Sequence, residues 1–437
     1  MSRVRFLRTV IILGLLVLLA VPSITLAQGD IQIGRPLDGA TVRETVNILV
    51  PVSSVPADGF VSYSIDGAFR TASFEKTIDN KNYLYRWDTK EVDPDTNLAM
   101  EKRLPRDGER TISAQAFDKD GVKAGKSKQI KVYVKNNASA DMPASGLRLE
   151  YRYIPGGTAK YKFRSAIIVK SIQGDTSIAS KIGGVFEGKE GVIKRTVEDI
   201  VAKNTAMIRQ RLDGDITILD GGTPVIDTSF TPKSSYRIED AQGLVTSIIQ
   251  SSSPGTIISV DMPKLPGKRV RIGDSWTLKQ RVLRDPTSND SAVFNTVNTL
   301  EGLEWEGGYP CAKIKTTFAG DVKIPGTDVI KDTVPVSGET TTYIAYRIGK
   351  LITSITTATA DVTVSSSVAS SLTSKTGRAG GSSTGGMIGG MPGMPGMPGM
   401  PTMPGMTAPG GSGGSDAASR QDVDVKFELT YRIQLVR

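Results

Sequence analysis

Histidine is absent from all 437 residues. That one gap excludes Ser-His-Asp and Cys-His nucleophile systems, imidazole acid-base catalysis and His-ligated zinc. Cysteine is nearly absent: Cys311 stands alone, so the chain makes no internal disulfide and must be stable through its cores. Its setting, Cys311-Ala312-Lys313-Ile314, reads as a strand in which the thiol is a small buried apolar group. Carboxylates are the acid-base pair that the inventory leaves, and Glu301, Glu304 and Glu306 lie close together. Strand alternation puts Glu304 and Glu306 on one wet face around Trp305, which is the pattern of a surface. No enzymatic activity and no cofactor are expected.

Long apolar runs are confined to the first 27 residues. Arg3, Arg5 and Arg8 precede an apolar run over residues 10–21, then Pro22 and Thr25-Leu26-Ala27. Small side chains before Gln28 fit a signal peptidase, so cleavage after Ala27 and export to the periplasm, cell surface or medium are expected. The run is shorter than the ~20 residues that cross a bilayer, so no transmembrane helix is expected after processing. Loss of the three arginines lowers the formal charge from +9 to +6. That mild excess favours anionic partners in general without interleaved aromatics, so no specific nucleic-acid binding is expected.

From residue 30 to 136, short β-prone runs alternate with Asp-Gly and Pro punctuation. The markers are Pro36-Leu37-Asp38-Gly39, Tyr63-Ser64-Ile65-Asp66-Gly67, Trp87-Asp88-Thr89 and an alternating Ile130-Lys131-Val132-Tyr133-Val134. Their order resembles the bacterial immunoglobulin-like domains. The resemblance implies a seven-stranded sandwich with Trp87 as a core anchor, and no chemistry of its own. Asp120-Gly121-Val122-Lys123-Ala124-Gly125-Lys126-Ser127 ends like a phosphate-binding loop, but an aspartate occupies the first glycine position and no helix follows. It reads as a polar hairpin, and Asp118 with Asp120 are too few ligands for a calcium cage.

Residues 137–146 read as a linker. From 147 to 437 a larger antiparallel β domain is expected, built from two related halves, so the whole chain is all-β. The halves are signalled by Tyr236-Arg237-Ile238 ahead of Gly243-Leu244-Val245-Thr246-Ser247-Ile248, and by Tyr346-Arg347-Ile348 ahead of Leu351-Ile352-Thr353-Ser354-Ile355. Each reads as strand, glycine turn, strand. Upstream, Thr196-Val197 matches Thr296-Val297, and Ala206-Met207-Ile208 matches Ala312-Lys313-Ile314. Two further hairpins are expected, one turning at Pro155-Gly156-Gly157 and one at Asp213-Gly214. Together with Gly273-Asp274-Ser275-Trp276 and Gly308-Tyr309-Pro310, this rhythm resembles an exported bacterial family of unknown function.

Two candidate sites follow from composition. Lys264, Lys268, Arg269 and Arg271 form a basic cluster that is a candidate ligand-binding, anion-facing surface. Residues 371–420 form a glycine-rich insert expected to be disordered, in which Met391, Met394, Met397, Met400 and Met403 each precede proline. Stacked thioethers of that kind suit Cu(I), although a spacer explains the composition as well. After it, Val423, Val425, Phe427, Leu429, Tyr431, Ile433 and Leu435 alternate over about 40 Å of strand. So long a strand must cross a wide or curved sheet, which brings the insert back to the fold as a loop.

The leading expectation is a non-catalytic exported envelope or secreted protein that binds an envelope polymer or protein partner, or is structural. The alternatives are a carrier enclosing an apolar ligand in the curved sheet beside Phe427, Leu429 and Tyr431, and a Cu(I)-binding protein.

Overall fold

The computed structural model describes residues 30–92, 103, 105–173, 184–219, 223–228, 234–250, 262–283, 291–323, 333–365 and 422–436. Residues 1–27, expected as a signal peptide, the insert expected over residues 371–420 and all five candidate copper methionines lie outside them. The chain is all-β and separates into two compact units, Met1–Asn136 and Asn137–Arg437.

In the first unit the described strands are β1 (Thr41–Val42), β2 (Thr45–Pro51), β3 (Phe60–Ile65), β4 (Ala68–Ser73), β5 (Asn82–Asp88), β6 (Gly108–Phe117) and β7 (Lys123–Val134). One sheet runs β1-β7-β6-β3-β4 and the other pairs β2 with β5. The strands form because apolar residues recur at every second position: Val46, Ile48 and Val50 in β2, and Val61, Tyr63 and Ile65 in β3, are all buried. Both sheets turn that face inward onto one core, so the unit is a β-sandwich. Trp87 is buried in it. The entering chain changes sheets, bridging Arg35 to Leu49 before β1 pairs in parallel with β7.

In the second unit the strands are β8 (Leu147–Arg148), β9 (Thr158–Gln173), β10 (Gly184–Ala202), β11 (Thr205–Leu212), β12 (Thr217–Leu219), β13 (Val225–Ile226), β14 (Ser235–Asp240), β15 (Val245–Gln250), β16 (Arg269–Val270), β17 (Ser275–Leu283), β18 (Ser291–Glu306), β19 (Tyr309–Lys323), β20 (Thr333–Ala345), β21 (Lys350–Ser365) and β22 (Asp422–Leu435). Eleven of them form one antiparallel path, β15-β14-β11-β10-β9-β22-β21-β20-β19-β18-β17. It consists of two five-stranded meanders, β9-β10-β11-β14-β15 and β17 to β21, joined through β22. Ser365 pairs with Asp422, so the two ends of residues 366–421 are held side by side.

The meanders share a register. Val197 faces Ile208 across β10 and β11, and Leu300 faces Ile314 across β18 and β19. A bulge follows at once in both, between Val197 and Asp199 and between Leu300 and Gly302. Ala206 then faces Glu239 as Ala312 faces Ile344. The match of Ala206-Met207-Ile208 with Ala312-Lys313-Ile314 is therefore in register. The match of Thr196-Val197 with Thr296-Val297 is three residues out, and an odd slip changes faces: Val297 is 43% exposed. The second Tyr-Arg-Ile is also displaced. Tyr236-Arg237-Ile238 lies within β14, whereas Tyr346-Arg347-Ile348 forms the turn between β20 and β21, closed by Gly349 N donating to the Ala345 carbonyl at 2.8 Å.

Two expected hairpins do not form. Leu147 and Arg148 pair with β16, and the chain from 149 to 153 runs past the turns of both meanders. Tyr151 N donates to Ala241 O at 2.7 Å and Arg152 N to Gly349 O at 3.1 Å. Past Asp213-Gly214 the chain does not reverse: β11 and β12 both run antiparallel to β10, one after the other along the same edge. Residues 137–146, expected as a linker, are held by the second unit, with Ala138 buried and its N–H donating to Leu303 O at 2.8 Å.

One face of the sheet forms the core. Trp276, Phe294, Ile314, Ile344, Leu429, Phe163 and Ile193 belong to a single buried cluster that also takes in Leu147, Leu149, Tyr151, Met262 and Leu265. Leu147 and Leu149, at and beyond β8, and Leu265 and Val270, before and within β16, pack into that same cluster and cover the inner face.

Candidate functional site

Both meanders bury a polar stripe on this inner face, at equivalent places in the register. In the second meander it is neutral: Thr316 Oγ1 donates to Asn298 Oδ1 at 2.7 Å, Thr340 and Thr356 hydroxyls meet at 2.9 Å, and Thr342 meets Ser354 at 3.2 Å. In the first it is charged. Arg195 stands in the place of Asn298, Gln210 of Thr316, Ser235 of Thr340, Arg237 of Thr342 and Glu239 of Ile344, and all five are buried.

Arg195 and Glu239 are the centre of that stripe. Nη2 of Arg195 lies 2.8 Å from Oε2 of Glu239, and the two side chains are 6% and 0% exposed. The Tyr153 hydroxyl donates to Glu239 Oε1 at 2.8 Å, with the Asp240 carbonyl 3.0 Å away. Burial works against the Arg195 charge, but Glu239 outweighs it and holds the guanidinium protonated well above its ordinary range. Burial, reinforced by Glu239, pushes the Tyr151 and Tyr153 phenols far up. Tyr161 rises to about 12, by burial against the opposing pull of Arg195. Arg195 Nη1 is buried with no hydrogen-bond partner.

A cleft of about 90 Å³ opens beside this cluster. Its walls are Tyr151, Tyr153, Tyr161, Ala159, Val197 and Met262, with Arg152, Arg195 and Lys350 as its cations. The chain builds it where the 149–157 segment crosses the glycine turn of the second meander. A Cβ on Gly349, whose φ is +61°, would come within 2.6 Å of Arg152 N.

The basic residues singled out in the sequence make bonds within the fold. Lys264 donates to the Gly243 carbonyl, Arg269 Nη1 to Gly146 O at 2.9 Å and Arg271 Nη2 to Ala144 O at 3.1 Å. Three of the four thus tie loops together through backbone carbonyls, and only Lys268 extends into solvent without such a bond. Glu304 pairs with Lys313 at 3.0 Å and accepts from the Tyr343 hydroxyl at 3.4 Å, while Glu306 accepts from Thr353. Asp118 accepts from the backbone of Asp120 and Val122 at 2.9 and 2.8 Å, which makes it a turn residue. Cys311 is buried beside Ala345 and Ile352. No group of three acidic or cysteine ligands placed for a metal occurs among the described residues.

Sequence reasoning missed Arg195, Glu239 and Tyr153. The signal was present, since Arg195 falls on the apolar phase of Ile193-Lys194-Arg195-Thr196-Val197.

No family model matches the chain. No curated protein matches it either. Among solved structures the chain is similar to the fibronectin(III)-like modules of Clostridium thermocellum CbhA, at 14% identity over 47% of this chain and 90% of that one, with a TM-score of 0.17. No helix among the described residues is long and apolar enough to cross a membrane.

Proposed function

We propose that the chain is a non-catalytic exported protein of the cell envelope or its surroundings, in which the sandwich acts as a spacer and the larger sheet as a binding module. The observation that carries this reading is the buried Arg195-Glu239-Tyr153 cluster beside the cleft. Catalytic proton transfer needs a group that gains and loses its proton near working pH. Here the guanidinium and the phenols are both driven away from neutrality in the direction that locks their protons on. Such a cluster offers fixed charge and fixed hydrogen bonds, which suit recognition.

The carrier alternative places an apolar ligand against Phe427, Leu429 and Tyr431. All three are packed within the core cluster and none lines the cleft, which favours the binding module over a wholly enclosed cargo. Export rests on the leader, with its basic start, short apolar run and Ala27.

The test is expression of the full chain in a bacterial host, followed by fractionation, intact mass and co-sedimentation with isolated envelope polymer. Cleavage after Ala27, recovery outside the cytoplasm and saturable co-sedimentation are expected. An uncleaved chain retained in the cytoplasm, or turnover of a substrate abolished by Glu239→Gln, would sink the reading.

A further inference from the structure

We infer that the cleft beside Arg195 is a binding site for a small monocarboxylate carrying a short apolar chain. Three observations converge on that chemistry. The first is the guanidinium: Nη2 is committed to Glu239, while Nη1 is buried and has no partner. A buried charged donor without an acceptor is costly, and a carboxylate oxygen is the acceptor that answers it best. The second is the charge at the walls. Arg152, Arg195 and Lys350 line the cleft, and the carboxylate of the cluster, Glu239, is already engaged by Arg195 and Tyr153. The walls therefore carry a surplus of positive charge that favours an entering anion, and Nη1 offers a single buried donor for one carboxylate head.

The third is the remaining wall and the size. Tyr151, Tyr161, Ala159, Val197, Ile208 and Met262 present rings and aliphatic carbon. The Tyr151 hydroxyl is turned away to the Pro263 carbonyl at 2.8 Å, which leaves its ring to the cleft. At roughly 10–15 Å³ for each water-sized probe, 90 Å³ accommodates a ligand of about six to nine heavy atoms. A straight acid of that length would lay its tail along Val197 and Met262 and its head at Nη1.

The register explains why the site is in one meander alone. At the equivalent positions the second meander has Asn298 and Ile344, and its stripe is satisfied internally by hydroxyl pairs. The inference deepens the binding-module reading but is tested apart from it, because titration of the purified protein does not depend on where the cell puts it.

Hexanoate, hexanol and hexylammonium are titrated calorimetrically into the full chain. Saturable one-to-one binding of hexanoate is expected, with hexanol weaker by about tenfold or more and hexylammonium silent. Ala159→Leu, which fills the cleft opposite Arg195 in the register, is expected to weaken hexanoate by a similar factor while the circular dichroism stays unchanged. The double variant Arg195→Met/Glu239→Met removes both charges together, so neither is left unpaired, and is expected to bind hexanoate no better than hexanol. Absence of saturable hexanoate binding overturns the inference. So does equal affinity for hexanol, or full affinity in folded Ala159→Leu. If the double variant fails to fold, the Ala159→Leu and hexanol comparisons decide alone.

Discussion

The two meanders of the larger sheet have the same five strands, the same register and the same bulge, yet they solve one problem in two ways. Each has polar side chains on a face that packs inward. The second meander pairs hydroxyls and amides of neighbouring strands with one another, so that little is left over. The first places a full charge in the same layer and needs Glu239 and Tyr153 to hold it. Neutral pairs of this kind make a core that needs nothing from outside, while a buried ion pair is weak evidence for stability. Where a framework is written twice, the positions at which the copies part are the first place to look for function.

The sharpest way to break that comparison is Glu239→Gln. It leaves Arg195 charged in the core and is expected to cost about 3–5 kcal/mol in urea denaturation, while its counterpart change Ile344→Val costs about 1 kcal/mol. Equal losses would mean that the charged stripe is no different in kind from the neutral one. Next in size is alkaline pH. A phenol ordinarily near 10 and raised to about 12 favours the fold as long as it is neutral, so the contribution of Tyr161 is complete below pH 10 and lost as pH climbs through 12. That loss is about 2–3 kcal/mol, and it should appear as phenolate absorbance rising together with unfolding. Phenolate formation complete near pH 10 in folded protein would contradict the burial of this cluster.

A smaller effect is expected at the turn that closes the cleft. Gly349→Ala puts a side chain in the left-handed region against Arg152 and the Glu150 carbonyl, at about 1–3 kcal/mol or more. Thermal unfolding measures it, and an unshifted midpoint would show that the crossing segment gives way freely. The least effect belongs to the neutral stripe. Thr342→Val with Ser354→Ala removes both partners of one hydroxyl pair and should change stability by no more than about 1 kcal/mol.

Much of the architecture was legible because strands write their burial as alternation. Val423 to Leu435 shows it without interruption, and its sheet position between β21 and β9 needs that length. Trp87 and the Asp-Gly punctuation marked the sandwich for the same reason. Repeats were harder to place, since similar triplets recur by chance and only pairing reveals the register; Tyr346-Arg347-Ile348 resembles a strand that is in fact a turn. The hairpin at Pro155-Gly156-Gly157 failed because alternation over 147–153 describes burial against a partner without saying which partner. The cleft was illegible for a different reason. Arg195, Glu239 and Tyr153 are brought together by two separate pairings and a crossing segment, and nothing local to any one of them announces the other two.

The placement of β22 has a consequence for how the chain becomes a protein. It is the seam between the meanders, pairing with β21 on one side and with β9, more than two hundred residues earlier, on the other. Until Asp422–Leu435 is available, neither meander has its neighbour and the shared core is exposed along one whole flank. Contacts this distant in sequence form slowly. Completion of the larger sheet therefore waits on a strand that comes late in the sequence, and the two meanders close onto one core only once that strand lies between them.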